Sequence, residues 1–209
     1  MPEPSSAGPG PAAATPVFAP AVKIVVAGGF GVGKTTFVGA VSEIEPLSTE
    51  ADITAPNTVD DTSGVGGKTS TTVALDFGRR TITAGAVSRH ASVEGAVTLY
   101  LFGAPGQERF WFLWDDLVRG AIGAIVLADT RRLTDCFAAV DFFERRGVPF
   151  VVAVNAFHGR QPYAEPELRR ALDLSDTVPV VQVDARDSAS SLRALIALVE
   201  HRLREPAVT

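Results

Sequence analysis

Short, continuous runs of hydrophobic residues recur along the chain and alternate with segments that have the hydrophobic spacing of helices. The runs are rich in Val, Ile and Leu and lie at residues 21–27, 96–102, 121–128, 149–154 and 178–183. Continuous hydrophobicity is typical of parallel strands that are covered on both faces. Helical spacing predicts helices at residues 133–146, 166–172 and 190–204. The alternation predicts a doubly wound α/β sheet with helices on both faces, whose ligands bind at the carboxyl ends of the strands.

The remaining segments complete the predicted organisation. A sixth strand is expected at residues 72–77, where alternate residues are hydrophobic. The polar stretch 45–71 before it is too long for a simple connection, so we expect it to be functional or disordered. Residues 1–20 are rich in Pro, Ala, Ser and Gly and are predicted to be a disordered tail. One folded domain is expected over residues 21–204, followed by a short tail at 205–209.

A glycine-rich segment follows the first predicted strand. Residues 28–35 match the phosphate-binding pattern G-x-x-x-x-G-K-[ST], and a helix is predicted at 36–44. The N–H groups of such a loop surround a phosphate, and the helix N-terminus adds partial positive charge. Phosphate binding is predicted for Gly28, Phe30, Gly31, Val32, Gly33, Lys34, Thr35 and Thr36. Lys34 supplies a full positive charge, and the hydroxyl of Thr35 is predicted to bind Mg²⁺.

Composition and charge exclude several classes of protein. The net charge of −5 argues against a nucleic-acid binder, which more often has a basic surface. No apolar run reaches membrane-spanning length, and the N-terminus lacks the layout of a signal peptide, so we expect no direct membrane insertion. The single cysteine, Cys136, fits a reducing cytosol, and a cytoplasmic location is expected.

A second motif follows the strand predicted at 96–102. Residues 101–110, Leu-Phe-Gly-Ala-Pro-Gly-Gln-Glu-Arg-Phe, resemble the D-x-x-G-Q-E segment of Ras-like small GTPases. The resemblance implies that Gly106 presents its N–H to the terminal phosphate and that Gln107 orients the attacking water. The alternative is an ordinary Pro-Gly turn before a helix.

A threonine-rich segment resembles the switch I region of the same proteins. Residues 72–77 are similar to the switch I threonine and the strand that follows it, which implies that Thr72 binds Mg²⁺ together with Thr35. Thr69 and Thr71 compete for this role. A run of threonines with β propensity and no ligand is the alternative.

The resemblance extends over residues 22–203 and is to the bacterial Ras-like small GTPases of the actinomycete conservon (CvnD) type, related to the gliding GTPase MglA. It is carried by Leu-Asp-Phe-Gly at 75–78, Leu-Tyr-Leu-Phe-Gly at 99–103, Pro-Gly-Gln at 105–107 and the aromatic-rich residues after them. It implies a P-loop domain with a mostly parallel six-stranded sheet. It also implies a GTP-binding signalling switch that hydrolyses GTP to GDP and phosphate. The implied partners are a roadblock-fold protein and a membrane sensor kinase complex, which recruit the chain to the inner membrane face.

Two departures from the Ras pattern concern the metal and the phosphate. The acidic residue that supports Mg²⁺ in most small GTPases corresponds to Gly103. Asp129 and Asp76 are the candidates to substitute for it, and nothing in the sequence shows that either does. Phe30 stands at a loop position that is commonly glycine in the Ras family, where a ring crowds the space beside the terminal phosphate. Slow intrinsic hydrolysis is therefore predicted.

Two further departures concern the base. The guanine-binding N-K-x-D motif corresponds to Asn155-Ala156-Phe157-His158, in which a neutral imidazole cannot replace the bidentate aspartate. His158 either contacts the base or is a plain loop residue, and Phe157 either stacks on the base or anchors the loop. The last motif, usually S-A-K, corresponds to Asp184-Ala185-Arg186, and the N–H of Ala185 is expected to meet the base carbonyl.

These departures leave two alternative functions open. One is a nucleotide-binding scaffold that does not hydrolyse its ligand, which Gly103, Phe30 and His158 favour. The other is an ATP-using P-loop protein, suggested by the altered guanine motif. In addition, residues 109–114 are dense in aromatic side chains, and we expect some of them to pack in the core and others to face a partner.

Overall fold

The structure is a computed structural model that describes residues 20–54, 70–83, 95–157 and 162–204. Its strands are β1 (Ala21–Gly28), β2 (Leu47–Thr54), β3 (Ser70–Thr83), β4 (Ala96–Gly103), β5 (Ala121–Ala128), β6 (Phe150–Asn155) and β7 (Val180–Val183). Its α-helices are α1 (Lys34–Val41), α2 (Trp114–Val118), α3 (Phe137–Arg146), α4 (Glu165–Ala171) and α5 (Ser188–Arg204). Two 3₁₀ helices, Glu108–Leu113 and Leu133–Cys136, precede α2 and α3. Most of the two predicted tails lies outside the described residues.

The strands form one sheet in the order β2-β3-β4-β1-β5-β6-β7. The pairs β4–β1, β1–β5, β5–β6 and β6–β7 are parallel. Strand β3 runs antiparallel to β4, and β2 runs antiparallel to β3. The predicted α/β class, with a mostly parallel sheet and helices on both faces, is confirmed. Six of the strands are those expected from the sequence. The seventh, β2, forms one edge of the sheet and lies within the polar stretch 45–71, for which no strand was predicted.

Both faces of the sheet are buried, which explains the continuous hydrophobic runs. Ile24 and Val26 of β1 pack in a cluster with side chains of α1 and α5, including Phe37 and Leu195. Val25 and Ala27 point to the opposite cluster, where residues of α2, α3 and α4 cover the sheet. Side chains that alternate along a strand therefore all meet apolar surface. Among the described residues, no helix is both long enough and apolar enough to span a membrane.

The helix boundaries differ from the predicted ones where local hydrogen bonds intervene. Helix α1 ends at Val41 rather than near residue 44, because Ser42 is extended and its hydroxyl accepts the N–H groups of Ile44 and Arg79. The predicted helix 133–146 consists of a 3₁₀ turn followed by α3. The core of the domain is unaffected by either change.

The aromatic-rich segment is divided between core and surface, as its sequence predicts. Phe110 and Trp114 are buried, whereas the side chain of Phe112 is 59% exposed. Trp114 packs in an aromatic cluster with Phe142 and Phe143, with ring centroids 5.2 and 6.3 Å away. Its indole N–H donates to the carbonyl of Pro105, which anchors the preceding loop to the core.

The aromatic cluster predicts a large difference between two phenylalanines. Phe143 is fully buried, so Phe143→Ala is expected to lower the free energy of unfolding by about 3–5 kcal/mol. The matched change Phe112→Ala removes an exposed ring and is expected to cost less than about 0.5 kcal/mol. Urea unfolding followed by circular dichroism measures both values. Equal losses for the two variants would contradict this assignment of the core.

Candidate functional site

The glycine-rich loop lies at the carboxyl end of β1 and leads directly into α1. It opens onto a cavity of about 330 Å³. The lining residues are Phe30, Gly31, Gly33, Lys34, Thr35, Thr36, Asp76, Ala104, Pro105 and Gly106. The structure thus brings most of the predicted phosphate-binding residues to one cavity, together with Gly106 of the second motif. Val32 is buried, and its carbonyl is bonded to Asn155.

Lys34 is the charged group of this cavity. Its ammonium donates to the carbonyls of Gly28 and Gly29 at 3.1 and 2.7 Å. Burial lowers the pKa of Lys34 to about 8, and the nearby charge of Asp76 opposes this change. Lys34 therefore carries most of its positive charge at neutral pH and gives it up more readily than an exposed lysine does.

The acidic side chain in the cavity, that of Asp76, comes from β3, which neighbours β4, the strand that carries the acid in most small GTPases. The hydroxyl of Thr35 donates to Oδ2 of Asp76 at 2.6 Å, and Asp76 is only 8% exposed. Asp76 on β3 lies directly opposite Gly103 on β4. A Cβ atom at Gly103 would lie 2.9 Å from the Cβ of Asp76, so this position has room only for glycine. Of the two candidates to replace the missing acid, Asp76 is the one in the cavity.

Asp129, the other candidate, has a different partner. Its carboxylate accepts from Nε and Nη2 of Arg131, with the Nη2 contact at 2.7 Å. Hydrogen bonds from Arg131 hold the pKa of Asp129 below its usual range. Asp129 does not line the phosphate cavity.

The oxygen atoms at Thr35 and Asp76 fit Mg²⁺. This cation prefers hydroxyl and carboxylate oxygens and usually keeps several waters while also binding substrate phosphates. Within the described part of the chain, no cluster of three or more His, Cys, Asp or Glu side chains forms a separate metal centre. A cation here would therefore depend on Thr35, Asp76, water and the phosphates themselves.

Thr72, the other predicted Mg²⁺ ligand, is not beside this pair. It lies within β3, paired in register with Asp52 of β2. It lies four positions before Asp76, which corresponds to about 13 Å along a strand. Its role in metal binding stays a prediction.

The second motif approaches the phosphate loop through its backbone. A Cβ atom at Gly106 would lie 2.6 Å from the ammonium of Lys34 and 2.9 Å from the carbonyl carbon of Gly29, so glycine is needed for this approach. The next residue, Gln107, accepts a hydrogen bond from Nε of Arg109 at 2.9 Å through its amide oxygen. Gln107 does not line the cavity in this structure.

Arg132 supports the loop from outside and was missed by sequence reasoning. Its Nη2 donates to the carbonyl of Phe30 at 2.8 Å, and its Nε lies 3.5 Å from a carboxylate oxygen of Asp135. The side chain of Phe30 itself is 66% exposed at the rim of the cavity. The sequence carries no signal for a contact between residues 102 positions apart.

The base-binding predictions converge on a second cavity, of about 150 Å³. It is lined by Gly33, Thr36, Asn155, Phe157, Asp184, Ala185 and Arg186. Four of the five residues predicted to contact the base therefore lie together, and the fifth, His158, is outside the described residues.

Asn155 connects three segments at this cavity. Its Nδ2 donates to the carbonyl of Val32 at 2.9 Å, and its Oδ1 accepts the N–H of Ala185 at 3.1 Å. The N–H that was expected to meet the base carbonyl is thus bonded to Asn155 in this structure. Asp184 and Arg186 form an ion pair at 2.8 Å.

Comparison with known proteins agrees with this geometry. A family model described as “Conserved hypothetical ATP binding protein” matches residues 26–205. No curated protein matches the chain. The match covers both cavities, and together with the glycine-rich loop it shows a P-loop nucleotide-binding protein.

Because Asp76 and Gly103 face each other across β3 and β4, we expect that a carboxylate at either position can serve Thr35. Asp76→Gly is expected to raise the Mg²⁺ concentration needed for half-maximal nucleotide binding by about 10–100-fold, because a partner of Thr35 is lost. The double variant Asp76→Gly/Gly103→Asp restores a carboxylate on the same face of the sheet and is expected to recover much of the loss. A Mg²⁺ titration with a fluorescent nucleotide measures this. An unchanged midpoint in Asp76→Gly would contradict a role in metal binding.

The lowered pKa of Lys34 predicts that nucleotide binding takes up a proton. Phosphate charge favours the protonated amine, so the complex raises a pKa that is about 8 in the free protein. Affinity is then expected to fall as the pH rises above about 8, by up to about tenfold per pH unit. Calorimetry at pH 9 in buffers of different ionisation enthalpy measures the proton. Lys34→Arg, which stays charged, is the control and should show no uptake; no uptake by the parent protein would refute the assignment.

Proposed function

The chain belongs to the family described as conserved hypothetical ATP binding protein, and we propose that it is a nucleotide-controlled signalling switch that binds GTP with Mg²⁺ and hydrolyses it slowly to GDP and phosphate. One observation carries this proposal. Lys34, the Thr35–Asp76 pair and the backbone of Gly106 converge on a single cavity at the carboxyl end of β1. This combination supports a site in which triphosphate and metal are bound beside the second motif.

Each group of the cavity has a proposed role. Lys34 and the loop N–H groups offset the charge of the phosphates. Thr35 and Asp76 hold Mg²⁺, which when bound adds positive charge beside the phosphate oxygens. Gly106 donates its N–H to the terminal phosphate. Gln107, once released from Arg109, orients the attacking water.

Thr72 is proposed to join Thr35 only in the triphosphate state. Because Thr72 lies in β3 and pairs with β2, its arrival at the metal requires residues 70–75 to leave that pairing. A segment that rearranges when the terminal phosphate is present is the property a switch needs.

Slow hydrolysis is supported by two contacts. The amide oxygen of Gln107 is engaged by Arg109, so the group that would orient water is held elsewhere. Phe30 lines the cavity, and its carbonyl is fixed by Arg132, which keeps an aromatic residue beside the predicted terminal phosphate.

The proposed partners are a roadblock-fold protein and a membrane sensor kinase complex, through which the chain is recruited to the inner membrane face. Support comes from the resemblance to the conservon GTPases and from two exposed rings, of which that of Phe30 belongs to the lining of the phosphate cavity. Phe112 is 59% and Phe30 is 66% exposed. Exposed aromatic side chains of this kind are typical anchors of protein–protein interfaces.

A non-hydrolysing scaffold is the second candidate function. The hydrogen bond between Arg109 and Gln107 favours it, because a glutamine that stays bound to Arg109 never reaches the water. Such a protein would still bind triphosphate and partners.

Single-turnover release of phosphate from Mg²⁺-bound GTP separates the two candidates. The parent protein is expected to release phosphate slowly but above the rate of free GTP. Gln107→Leu should lower the rate by at least about tenfold with unchanged affinity, because the water loses its orienting group. Phe30→Gly should raise the rate by removing the ring.

Two results would overturn parts of this proposal. Nucleotide binding that is unaffected by Lys34→Ala would remove the P-loop as the binding site. Absence of phosphate release from the parent protein, with binding intact, would establish the scaffold instead. Arg146→Ala, on the surface of α3, is the control and should change neither binding nor release.

A further inference from the structure

Phe157 is a lining residue of two cavities. One is the base cavity of about 150 Å³, which shares Gly33 and Thr36 with the phosphate cavity. The other, of about 170 Å³, is lined by Asp129, Arg131 and Tyr163 among others. Because the base cavity and the phosphate cavity adjoin at the start of α1, a nucleotide whose phosphates occupy the loop extends its base toward Phe157.

A charged side chain supports this ring. The guanidinium carbon of Arg131 lies 4.0 Å from the centroid of the Phe157 ring. Arg131 is in turn held by Asp129, which is 4% exposed and binds it in a bidentate manner. The backbone N–H of Arg131 donates to the same carboxylate. Two hydrogen bonds from the side chain of Arg131 and one from its backbone N–H therefore fix this residue on one buried carboxylate, which holds the ring in place before any ligand arrives.

Hydrogen-bonding groups selective for guanine are scarce in the described lining of the base cavity. Ala156, at the position of the family's lysine, is 3% exposed, so its methyl group is buried in the protein rather than laid over a base. Asp184 is the acidic residue described there, and both of its carboxylate oxygens accept from the guanidinium of Arg186. The amide of Asn155 is bonded at both ends to the protein backbone.

We propose that Phe157, held by Arg131 and Asp129, is a stacking platform for the nucleotide base, and that the site accepts adenine and guanine nucleotides alike. Stacking on an aromatic ring tolerates any base because every base has a π face. Purines are preferred over pyrimidines because their two rings bury more apolar area. This proposal rests on the proposed function only in placing the phosphates in the loop, and it extends the substrate class from GTP to purine nucleoside triphosphates.

Because the stacking contact involves only the base, a comparison of ligands with and without a base distinguishes it from binding of the phosphates. Binding of Mg²⁺ complexes of GTP, ATP, CTP and inorganic tripolyphosphate is measured by calorimetry on the full chain. GTP and ATP are expected to bind within about tenfold of one another and more tightly than CTP. Phe157→Leu keeps an apolar side chain of similar size and is expected to weaken GTP and ATP by about tenfold, with tripolyphosphate unchanged.

Two arginines provide a matched pair of variants. Arg131→Gln removes the support of Phe157 and is expected to weaken GTP and ATP in parallel, by less than Phe157→Leu does. Arg146→Gln removes an equivalent contact elsewhere, since the guanidinium carbon of Arg146 lies 3.9 Å from the ring of Phe142. This control should leave all four affinities unchanged. Unchanged tripolyphosphate binding in each variant shows that the phosphate loop is intact.

The possible failures are distinguishable. The stacking platform is refuted if Phe157→Leu binds GTP and ATP like the parent, or if GTP binds more than about 100-fold tighter than ATP. The hydrolytic switch fails alone if both nucleotides bind through Phe157 and neither releases phosphate. Both proposals fail if neither tripolyphosphate nor any nucleotide binds the parent protein.

Discussion

The candidate site depends on one constraint, which is that four carbonyl oxygens of the phosphate loop accept hydrogen bonds from side chains. Lys34 donates to Gly28 and Gly29, Arg132 donates to Phe30, and Asn155 donates to Val32. These donors come from α1, from the segment after β5 and from β6. With its acceptors occupied, the loop has mainly N–H groups left to offer, and an anion is the ligand that such groups bind.

The Thr35–Asp76 pair shows that a missing residue has to be judged together with its neighbour across the sheet. Gly103 taken alone indicates a defective Mg²⁺ site, because the position usually carries an acid. Its partner Asp76 supplies a carboxylate to Thr35 from the adjacent strand, and the space it needs is the space a side chain at Gly103 would fill. The glycine at 103 is therefore what allows the aspartate at 76 to occupy its position.

The local sequence pattern predicted most of the fold. The features that it did not predict depend on contacts between residues that are distant in sequence. Buried strands and the glycine-rich loop have short-range signals, and their positions agree with prediction to within a few residues. Strand β2 was missed because an edge strand is held mainly by backbone pairing, although Leu47, Ala51 and Ile53 do alternate with polar residues. The contact of Arg131 with Phe157 was not predictable, since it joins segments that only the folded sheet brings together.

A base held by stacking is compatible with a switch, because the two tasks use different parts of the ligand. A ligand shifts a conformational equilibrium only through contacts that differ between the two states. Stacking on Phe157 is the same for a diphosphate and a triphosphate, so it adds affinity to both and cancels in their difference. Of the two groups proposed to sense the terminal phosphate, Gly106 lines the phosphate cavity but not the base cavity, and Gln107 lines neither. Loss of base selectivity therefore leaves the signal carried by the terminal phosphate intact.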